Sequence, residues 1–217
     1  MKKTLTAMLL CICLVSAAPA RKQRRHDATG TQDNGFDYYL LALSWAPGYC
    51  ASHPHDHSPE CSAHASFVLH GLWPQSENGA PPMDCGEAGP PSTATVEHML
   101  NFMPSRGLIQ HEWSKHGTCS GLSADDYFRN VEKGFSSVRI PESYRLLSHE
   151  AHVRVSDLEQ AFAVENHTVS GAIRTSCHNG ELVGIEVCLD KNLKYRSCTR
   201  SVRECPVQQV TVRATQY

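Results

Sequence analysis

Cysteines constrain this chain more than any other residue type. Two of its ten cysteines lie in an apolar segment near the N-terminus, and the other eight lie farther along the chain. An even number of cysteines in an exported chain indicates a disulfide framework. No CxxC pair is present, so a zinc-binding role for these cysteines is the weaker interpretation. Counting alone leaves the pairing open. The eight residues are Cys50, Cys61, Cys85, Cys119, Cys177, Cys188, Cys198 and Cys205.

The first twenty residues have the features of an export signal. Two lysines precede an apolar run from Leu5 to Val15, and Ala18-Pro19-Ala20 offers a small-residue cleavage site. A membrane anchor is the alternative, but the run is shorter than the roughly 20 residues that span a bilayer. We therefore expect residues 1–20 to be a signal peptide and the mature protein to be exported, periplasmic or extracellular. The short leader that begins with lysines is typical of bacteria.

Charge and composition exclude several classes of protein. The 217 residues are 41% hydrophobic and 19% charged, which is typical of a globular chain. The formal net charge of −2 excludes a nucleic-acid clamp that works by bulk positive charge. Residues 21–35 are polar and predict a flexible N-terminal tail. No linker or repeat interrupts the chain from Phe36 onward, so we expect one domain over residues 36–217.

Local patterns predict a mixture of strands and helices. Residues 36–45 read as a buried strand, and Ser66 to His70 as a second strand that ends at Gly71. A proline- and histidine-rich loop at 46–64 and a proline- and glycine-rich loop at 76–92 flank the second strand. A short helix is expected at 94–103, before Pro104.

The second half of the chain contains two helix starts and one hairpin signal. Ser123 with Asp126 predicts a helix, and Ser156 with Glu159 matches the capping-box pattern of another. Asn179-Gly180 is a two-residue turn signal inside a hairpin over 171–189. Because helices and strands do not alternate regularly, we predict an α+β fold with a central, mainly antiparallel sheet flanked by helices.

The segment from His111 to Cys119, HEWSKHGTC, concentrates groups that can do chemistry. It superficially resembles the HExxH zinc motif, but its histidines are five residues apart, roughly 140° around a helix. A helix over 110–116 instead places His111 with Lys115 and Glu112 with His116 on adjacent faces. The indole of Trp113 then faces the core, and Gly117 ends the helix.

These groups suit the cleavage of a phosphodiester at a 2′-hydroxyl. Two histidines can act as general base and general acid, and an ammonium can hold a phosphate. His70 in the segment HGLWP, His70 to Pro74, could join them. Spacing alone leaves open that these are ordinary structural or surface histidines.

The two segments HGLWP and HEWSKHGTC strongly resemble the active-site segments of the ribonuclease T2 family. The resemblance extends over about residues 36–206 and implies the same α+β fold and no cofactor. It implies catalytic roles for His70, commonly the general acid, for His116, commonly the general base, and for Glu112. It also implies that Lys115 stabilises the transition state with Glu112, and that His111 binds phosphate. Trp73 would line the base-binding pocket, with plain core packing as the alternative.

The resemblance also implies a disulfide pairing and a substrate. The pairs would be Cys50–Cys61, Cys85–Cys119, Cys177–Cys205 and Cys188–Cys198. We expect a monomeric endoribonuclease that takes single-stranded RNA through a 2′,3′-cyclic phosphate to 3′-phosphate ends, at acidic pH. We expect no cleavage of DNA and no membrane contact by the mature protein.

The residues after HGLWP depart from the family pattern at one position. Gln75 stands where some members have an acidic or amide residue, but Pro81 occupies about the position of an aromatic residue. Base stacking on an aromatic ring contributes roughly 1–3 kcal/mol. We therefore predict a weak base preference.

Two alternative functions remain open at this stage. His53, His55 and His57, with His64 nearby, could hold a metal ion, although the adjacent prolines disfavour a regular strand there. The protein could also act mainly by binding RNA, although all five expected catalytic residues are present. Inhibition by a chelator would favour the metal-dependent function, and full activity in chelator would favour metal-free histidine catalysis.

Overall fold

A computed structural model describes residues 35–62, 66–86 and 89–215. In these ranges six strands form one sheet, and six α-helices and two short 3-10 turns surround it. The strands are β1 Tyr38–Trp45, β2 Phe67–Gln75, β3 Ala151–Arg154, β4 Ile173–His178, β5 Glu181–Leu189 and β6 Gln209–Val212. The helices are α1 Ala46–Ser52, α2 Pro59–Ser62, α3 Thr93–Met99, α4 Arg106–Lys115, α5 Ala124–Ser136 and α6 Val155–Glu165.

The long strand β5 is the centre of the sheet. It pairs antiparallel with β1 on one side and with β4 on the other, and β1 continues antiparallel to β2. Strand β6 joins through one parallel pair, Glu181 with Thr211, and pairs antiparallel with β3. The predicted α+β domain with a mainly antiparallel sheet is confirmed.

The two faces of the sheet differ in what covers them. Leu41 and Leu43 of β1 face the main core, where α5 and α6 contribute side chains such as Phe128 and Phe162. The alternate residues Tyr38 and Leu40 belong to a smaller cluster on the opposite face. Because successive strand residues point to opposite faces, Ser44 of β1 shares the second face with Leu40, and a site can form there.

Several predicted elements are confirmed. Ser123 accepts a hydrogen bond from the Asp126 backbone N–H and begins α5, as its sequence indicates. The hairpin of β4 and β5 turns at Asn179-Gly180, with φ values of 51° and 80°. Both residues adopt the positive φ that a two-residue type I′ turn requires.

The predicted loop over residues 46–64 is wrong in part, because it contains α1 and α2. Pro47 lies in the first turn of α1, where a missing N–H costs no helical hydrogen bond. The Cys50–Cys61 disulfide ties the two short helices together. The proline signal was therefore a helix start rather than a loop.

Two helix predictions also need correction. The helix expected at 94–103 spans Thr93–Met99, with Ser92 as its N-cap. The capping box at Ser156 does not form, because the N-cap of α6 is Arg154, two residues before Ser156. The Glu159 carboxylate accepts a hydrogen bond from the Thr175 backbone N–H instead, which links α6 to β4. A tertiary contact thus takes the place of the local cap.

Four disulfides connect the described residues. They are Cys50–Cys61, Cys85–Cys119, Cys177–Cys205 and Cys188–Cys198, the same pairs that the family resemblance implies. Such a framework fits an exported protein.

The predicted signal peptide, residues 1–20, lies outside the described residues, as do residues 21–34 of the predicted tail and His64. Within the described ranges, none of the helices has the length and apolar character needed to cross a bilayer.

Candidate active site

A β-bulge in strand β2 displays His70. Ala42 of β1 pairs with Gly71, whereas the next residue, Leu43, pairs with Leu69, so His70 is an extra residue on β2. A bulge of this kind redirects the side chain of the extra residue. The His70 imidazole Nδ1 lies 3.0 Å from the Ser44 hydroxyl, across the strand pair. The strand predicted to end at Gly71 therefore continues to Gln75, because the glycine marks a bulge and not an end.

The Glu112 carboxylate contacts both His70 and Trp73. Its side chain is 1% exposed, although it carries an ionisable group. Oε1 lies 3.4 Å from His70 Nε2, and Oε2 accepts a hydrogen bond of 2.6 Å from Trp73 Nε1. Burying an ionised carboxylate without partners costs roughly several kcal/mol of folding free energy. Glu112 is therefore held between β2 and α4 by these two contacts.

Gly71 makes room for the Glu112 carboxylate. A Cβ atom at position 71 would overlap Glu112 and would also crowd the Trp73 indole nitrogen. The close approach of strand and helix requires a residue without a side chain. Gly71 was predicted to end a strand. In the structure it instead leaves space for the Glu112 carboxylate.

His116 lies at the C-terminal end of α4. The helix ends at Lys115, one residue before the predicted end, and His116 is its C-cap. The His116 side chain stacks on Trp73 with ring centroids 5.1 Å apart and an interplanar angle of 30°. Nδ1 is buried and has no hydrogen-bond partner among the described residues, so Nε2 is the ring nitrogen available to a substrate.

Burial lowers the pKa of His116, because desolvation disfavours the imidazolium. The neighbouring Glu112 carboxylate opposes this effect, while the positive charges of Lys115, His111 and His70 add to the lowering. The net shift is towards the neutral imidazole, the form that can accept a proton.

Trp73 contacts both histidines. The Trp73 indole packs edge-on against the His70 ring, with centroids 5.7 Å apart. The same indole stacks on the His116 ring. The side chain is half-buried, and its N–H is used by Glu112. One indole therefore contacts all three ionisable side chains, His70, Glu112 and His116.

The remaining predicted residues of helix α4 surround this centre. His111 is exposed and Lys115 is half-buried. Trp113 faces the core, as predicted, and its indole N–H donates to the Gly89 carbonyl at 2.9 Å. The four residues predicted to share one side of the helix thus divide into a buried pair, Glu112 and His116, and a more accessible pair.

A disulfide anchors the end of helix α4 to the preceding loop. Cys85 bonds to Cys119, and the backbone N–H of Asp84 donates to the Lys115 carbonyl at 2.8 Å. The Cys85 N–H reaches the Thr118 hydroxyl at 3.3 Å. This loop therefore fixes the chain on both sides of His116.

A cavity of about 670 Å³ opens beside His70. A volume of this size suits a small-molecule or nucleotide ligand. Its walls come from β1, α1, α2, the start of α4 and the β4–β5 hairpin, with Ser44 and His70 at one end. The sequence patterns did not indicate this cavity, because its walls are far apart in the chain.

The histidine-rich segment shows no metal-binding arrangement in its described part. No group of three or more histidine, cysteine or acidic side chains comes together as a ligand set in residues 35–62, 66–86 and 89–215. His53, His55 and His57 are exposed, and the His53 ring stacks on Tyr49.

Together the fold and the site define a class: a disulfide-linked α+β domain with a paired-histidine centre around a buried glutamate. A model of the Ribonuclease T2 family matches residues 36–198. The chain belongs to the Ribonuclease T2 family and is a T2-type endoribonuclease by class.

Curated relatives agree with this membership. A ribonuclease of Aeromonas hydrophila is 50% identical over 92 residues, which cover 42% of this chain and 41% of that protein. The ribonuclease DdI of Dictyostelium discoideum is 29% identical over 93% of this chain and 92% of its own length. The match thus spans less than half of the Aeromonas protein and nearly all of the Dictyostelium protein.

Solved structures share the fold. An RNase-related protein from Calystegia sepium has a TM-score of 0.67 at 24% identity, covering 83% of this chain and 98% of that chain. A mutant of RNase MC1 in complex with 5′-UMP has a TM-score of 0.64 at 18% identity, covering 81% of this chain and 97% of that chain. At these identities the similarity establishes the fold.

Proposed function

We propose that the protein is an exported endoribonuclease that cleaves single-stranded RNA without a metal ion, through a 2′,3′-cyclic phosphate. The observation that carries this proposal is the buried Glu112 carboxylate, which contacts His70 and Trp73, while His116 stacks on the same indole. Two imidazoles of different environment around one carboxylate suit paired general acid–base catalysis.

His116 is the general base of the first step. Its lowered pKa favours the neutral imidazole, whose Nε2 can take the proton from the substrate 2′-hydroxyl. The 2′-oxygen then forms a bond to the adjacent phosphorus. DNA has no 2′-hydroxyl at this position, so DNA is not cleaved by this route.

His70 is the general acid of the same step. The Glu112 carboxylate lies 3.4 Å from His70 Nε2, and the Ser44 hydroxyl lies 3.0 Å from Nδ1, so these two groups orient the imidazole ring. As the bond between phosphorus and the 5′-oxygen breaks, His70 gives its proton to that oxygen. The products are a 2′,3′-cyclic phosphate and a free 5′-hydroxyl.

Hydrolysis of the cyclic phosphate reverses the two roles. His70, now neutral, takes a proton from water, and His116, now protonated, gives its proton to the departing 2′-oxygen. The product is a 3′-phosphate, and both histidines regain their starting states. This exchange follows from microscopic reversibility, as in other acid–base pairs.

His111 and Lys115 supply positive charge for the phosphate. Both contribute to the charge environment of His116, and both are more accessible than Glu112. Cationic groups placed where negative charge develops stabilise the pentacovalent transition state. The proposed steps need no cofactor.

The base preference is weak under this proposal. Gln75 is buried at the end of β2, and Pro81 supplies no aromatic ring on which a base could stack. Discrimination between bases then depends on the cavity beside His70.

Localisation and assembly complete the proposal. The four disulfides support folding in an oxidising compartment, the periplasm or the exterior, after removal of residues 1–20. The mature protein acts on RNA as a monomer and does not contact a membrane.

The test uses oxidised residues 21–217, a defined single-stranded RNA and excess EDTA. Cyclic 2′,3′-phosphate or 3′-phosphate ends that disappear in His116→Ala support the proposal. Absence of cleavage in EDTA, with activity restored by zinc, contradicts it. A His149→Ala variant is the matched control, because His149 is exposed and lies outside the site.

A further inference from the structure

A short segment that follows strand β5 concentrates positive charge. Residues 191–203 contain five of the chain's 20 lysines and arginines and none of its 22 aspartates and glutamates. The rest of the chain is therefore acidic, with 15 cationic and 22 anionic side chains. A local patch of one sign can attract a polyanion even where the net charge of the protein is negative. The five cations are Lys191, Lys194, Arg196, Arg200 and Arg203.

A disulfide and an apolar contact hold this segment on the second face of the sheet. Cys198 is bonded to Cys188 of β5. Val202 is buried and belongs to the small apolar cluster on that face, against which Trp73 also packs. Because Trp73 contacts both candidate catalytic histidines, the segment and the candidate active site meet at one cluster.

Hydrogen bonds fix the path of the segment. The Arg196 guanidinium lies over the Tyr38 ring, 4.5 Å from its centroid, and donates to the Glu77 carboxylate at 2.6 Å. The Tyr38 hydroxyl lies 2.8 Å from the Thr199 hydroxyl, and the Val202 N–H donates to the Thr199 carbonyl at 3.2 Å. The chain therefore makes a tight turn against the sheet between Thr199 and Val202.

Two arginines at this turn are exposed. Arg200 and Arg203 lie on either side of the buried Val202 and form no ion pair with any residue that the structure describes. Glu204, the adjacent acidic residue, is instead 3.6 Å from Arg174. Guanidinium groups without a carboxylate partner keep all their N–H donors for a phosphate, which they can bind through two parallel hydrogen bonds.

We propose that Arg200 and Arg203 form a secondary binding site for the phosphate backbone of single-stranded RNA, outside the cleaved phosphodiester. This inference rests on the proposed ribonuclease function. Leu40 pairs with Trp73 on one side and with Cys188 on the other, so two strand spacings of about 4.8 Å separate Trp73 from the strand that holds the turn. An RNA strand that continues past the catalytic centre therefore brings further phosphates within reach of the two arginines.

RNA suits this surface better than a membrane does. Binding to a membrane surface combines positive charge with apolar side chains that enter the bilayer. The aliphatic side chain of the turn, Val202, is buried against the sheet instead. Contacts to phosphate carry no base information, so the site raises the affinity for long substrates without selecting a sequence.

The experiment compares the dinucleoside phosphate UpA with an RNA of about twelve nucleotides, a length within the range of single-strand binding sites. Methylation of every 2′-hydroxyl except that of one UpA step gives the long RNA a single cleavable bond. The variant Arg200→Gln/Arg203→Gln removes both charges. We expect the ratio of kcat/KM for the long RNA to that for UpA to fall by about tenfold at low salt, through KM.

The salt dependence gives a second readout of the same contacts. Each phosphate contact on a single strand contributes about 0.7 to the slope of log affinity against log salt concentration. Loss of two contacts should therefore make the slope for the long RNA shallower by about 1.4. A change in the fold of the active site would not alter this slope.

The control variant makes an equal change of charge elsewhere. Lys133 lies on α5, which packs on the main core, and Arg139 follows the end of that helix. Both are exposed and form no ion pair within the described part of the chain. We expect Lys133→Gln/Arg139→Gln to keep the substrate ratio and the salt slope of the unsubstituted protein.

The outcomes separate a local binding site from its alternatives. Equal losses on both substrates in the arginine variant mean that the turn only supports the fold, and they overturn the inference. Equal effects of the two double variants mean that net charge alone acts, which also overturns it. Sedimentation with phosphatidylglycerol vesicles that the arginine variant loses, at an unchanged substrate ratio, reassigns the patch to a membrane. Cleavage of neither substrate by the unsubstituted protein overturns the proposed function and this inference with it.

Discussion

The indole N–H of Trp73 donates a hydrogen bond of 2.6 Å to Oε2 of the buried Glu112 carboxylate. This bond joins strand β2 to helix α4 at the point where His70 and His116 approach the same indole. The relationship explains how two segments about forty residues apart form one site. It also indicates that the indole positions the carboxylate that supports His70.

Trp73→Phe tests this positioning role. The variant keeps an aromatic ring at position 73 but removes the indole N–H, so Glu112 loses one of its two partners. We expect kcat to fall by about tenfold or more, in line with the cost of an unpaired buried charged group, with little change in KM. Trp113→Phe is the control, because it removes an indole N–H that donates to a backbone carbonyl. A rise in KM at constant kcat would instead indicate a role in base binding alone.

Gly71→Ala tests the close contact of strand and helix. The added methyl group overlaps the Glu112 carboxylate, so we expect a loss of activity and a destabilisation of about 1–3 kcal/mol, as for other overpacked sites. Gly86→Ala is the matched control, since a Cβ atom there meets no atom within 4 Å. Chemical denaturation and the rate of RNA cleavage measure the two effects. Normal activity in Gly71→Ala would contradict the described packing.

The acidic limb of the pH–rate profile tests the environment of His116. Because burial lowers the pKa of His116 below its ordinary value of 6.5, the neutral base persists into acidic solution. We expect the acidic limb of kcat/KM to have its midpoint below pH 6.5, consistent with activity at acidic pH. A profile that peaks well above neutral pH would contradict this expectation.

The same pKa shift predicts a change in stability with pH. A histidine that is neutral when buried must gain charge against desolvation, so its contribution to stability is full above the unfolded pKa. That contribution is lost as the pH falls from about 6.5 through the folded pKa. Thermal unfolding should therefore show a smaller loss of Tm on acidification in His116→Ala than in the unsubstituted protein. An identical pH dependence in both proteins would show that His116 does not titrate differently on folding.

Removal of the Cys85–Cys119 disulfide tests the anchoring of helix α4. We expect the double serine variant to lose about 2–4 kcal/mol of stability and to lose activity even where it remains folded. The loop would then no longer hold the backbone next to His116. The Cys188–Cys198 pair, which spans 10 residues rather than 34, serves as control. Equal effects of the two removals on activity, at a temperature where both variants are folded, would contradict a role specific to the site.

Local sequence patterns anticipated much of the fold. The turn at Asn179-Gly180 and the cap at Ser123 are local signals, because each depends on residues close together in the chain. Glu159 illustrates the limit of such signals, since its carboxylate caps no helix and instead bonds to the backbone of β4. The loop prediction at Pro47 was wrong because proline occurs both in loops and in the first turn of a helix.

The site was anticipated where its residues share a motif and missed where they meet across the chain. Helical spacing placed Glu112 and His116 together, and the structure brings Trp73 and His70 to the same pair. Ser44 carries no motif, and its contact with His70 depends on strand pairing and on the bulge. The cavity beside His70 has walls from distant parts of the chain, so only the folded structure reveals it.

The most direct test of the central claim uses a DNA oligonucleotide with a single ribonucleotide, in EDTA. The account predicts one cut, on the 3′ side of the ribonucleotide, with a cyclic or 3′-phosphate on one fragment and a 5′-hydroxyl on the other. An all-DNA strand of the same sequence should remain whole. Cleavage at deoxyribonucleotides, or 5′-phosphate ends at the ribonucleotide, would contradict attack by the 2′-oxygen and with it the assigned roles of His70 and His116.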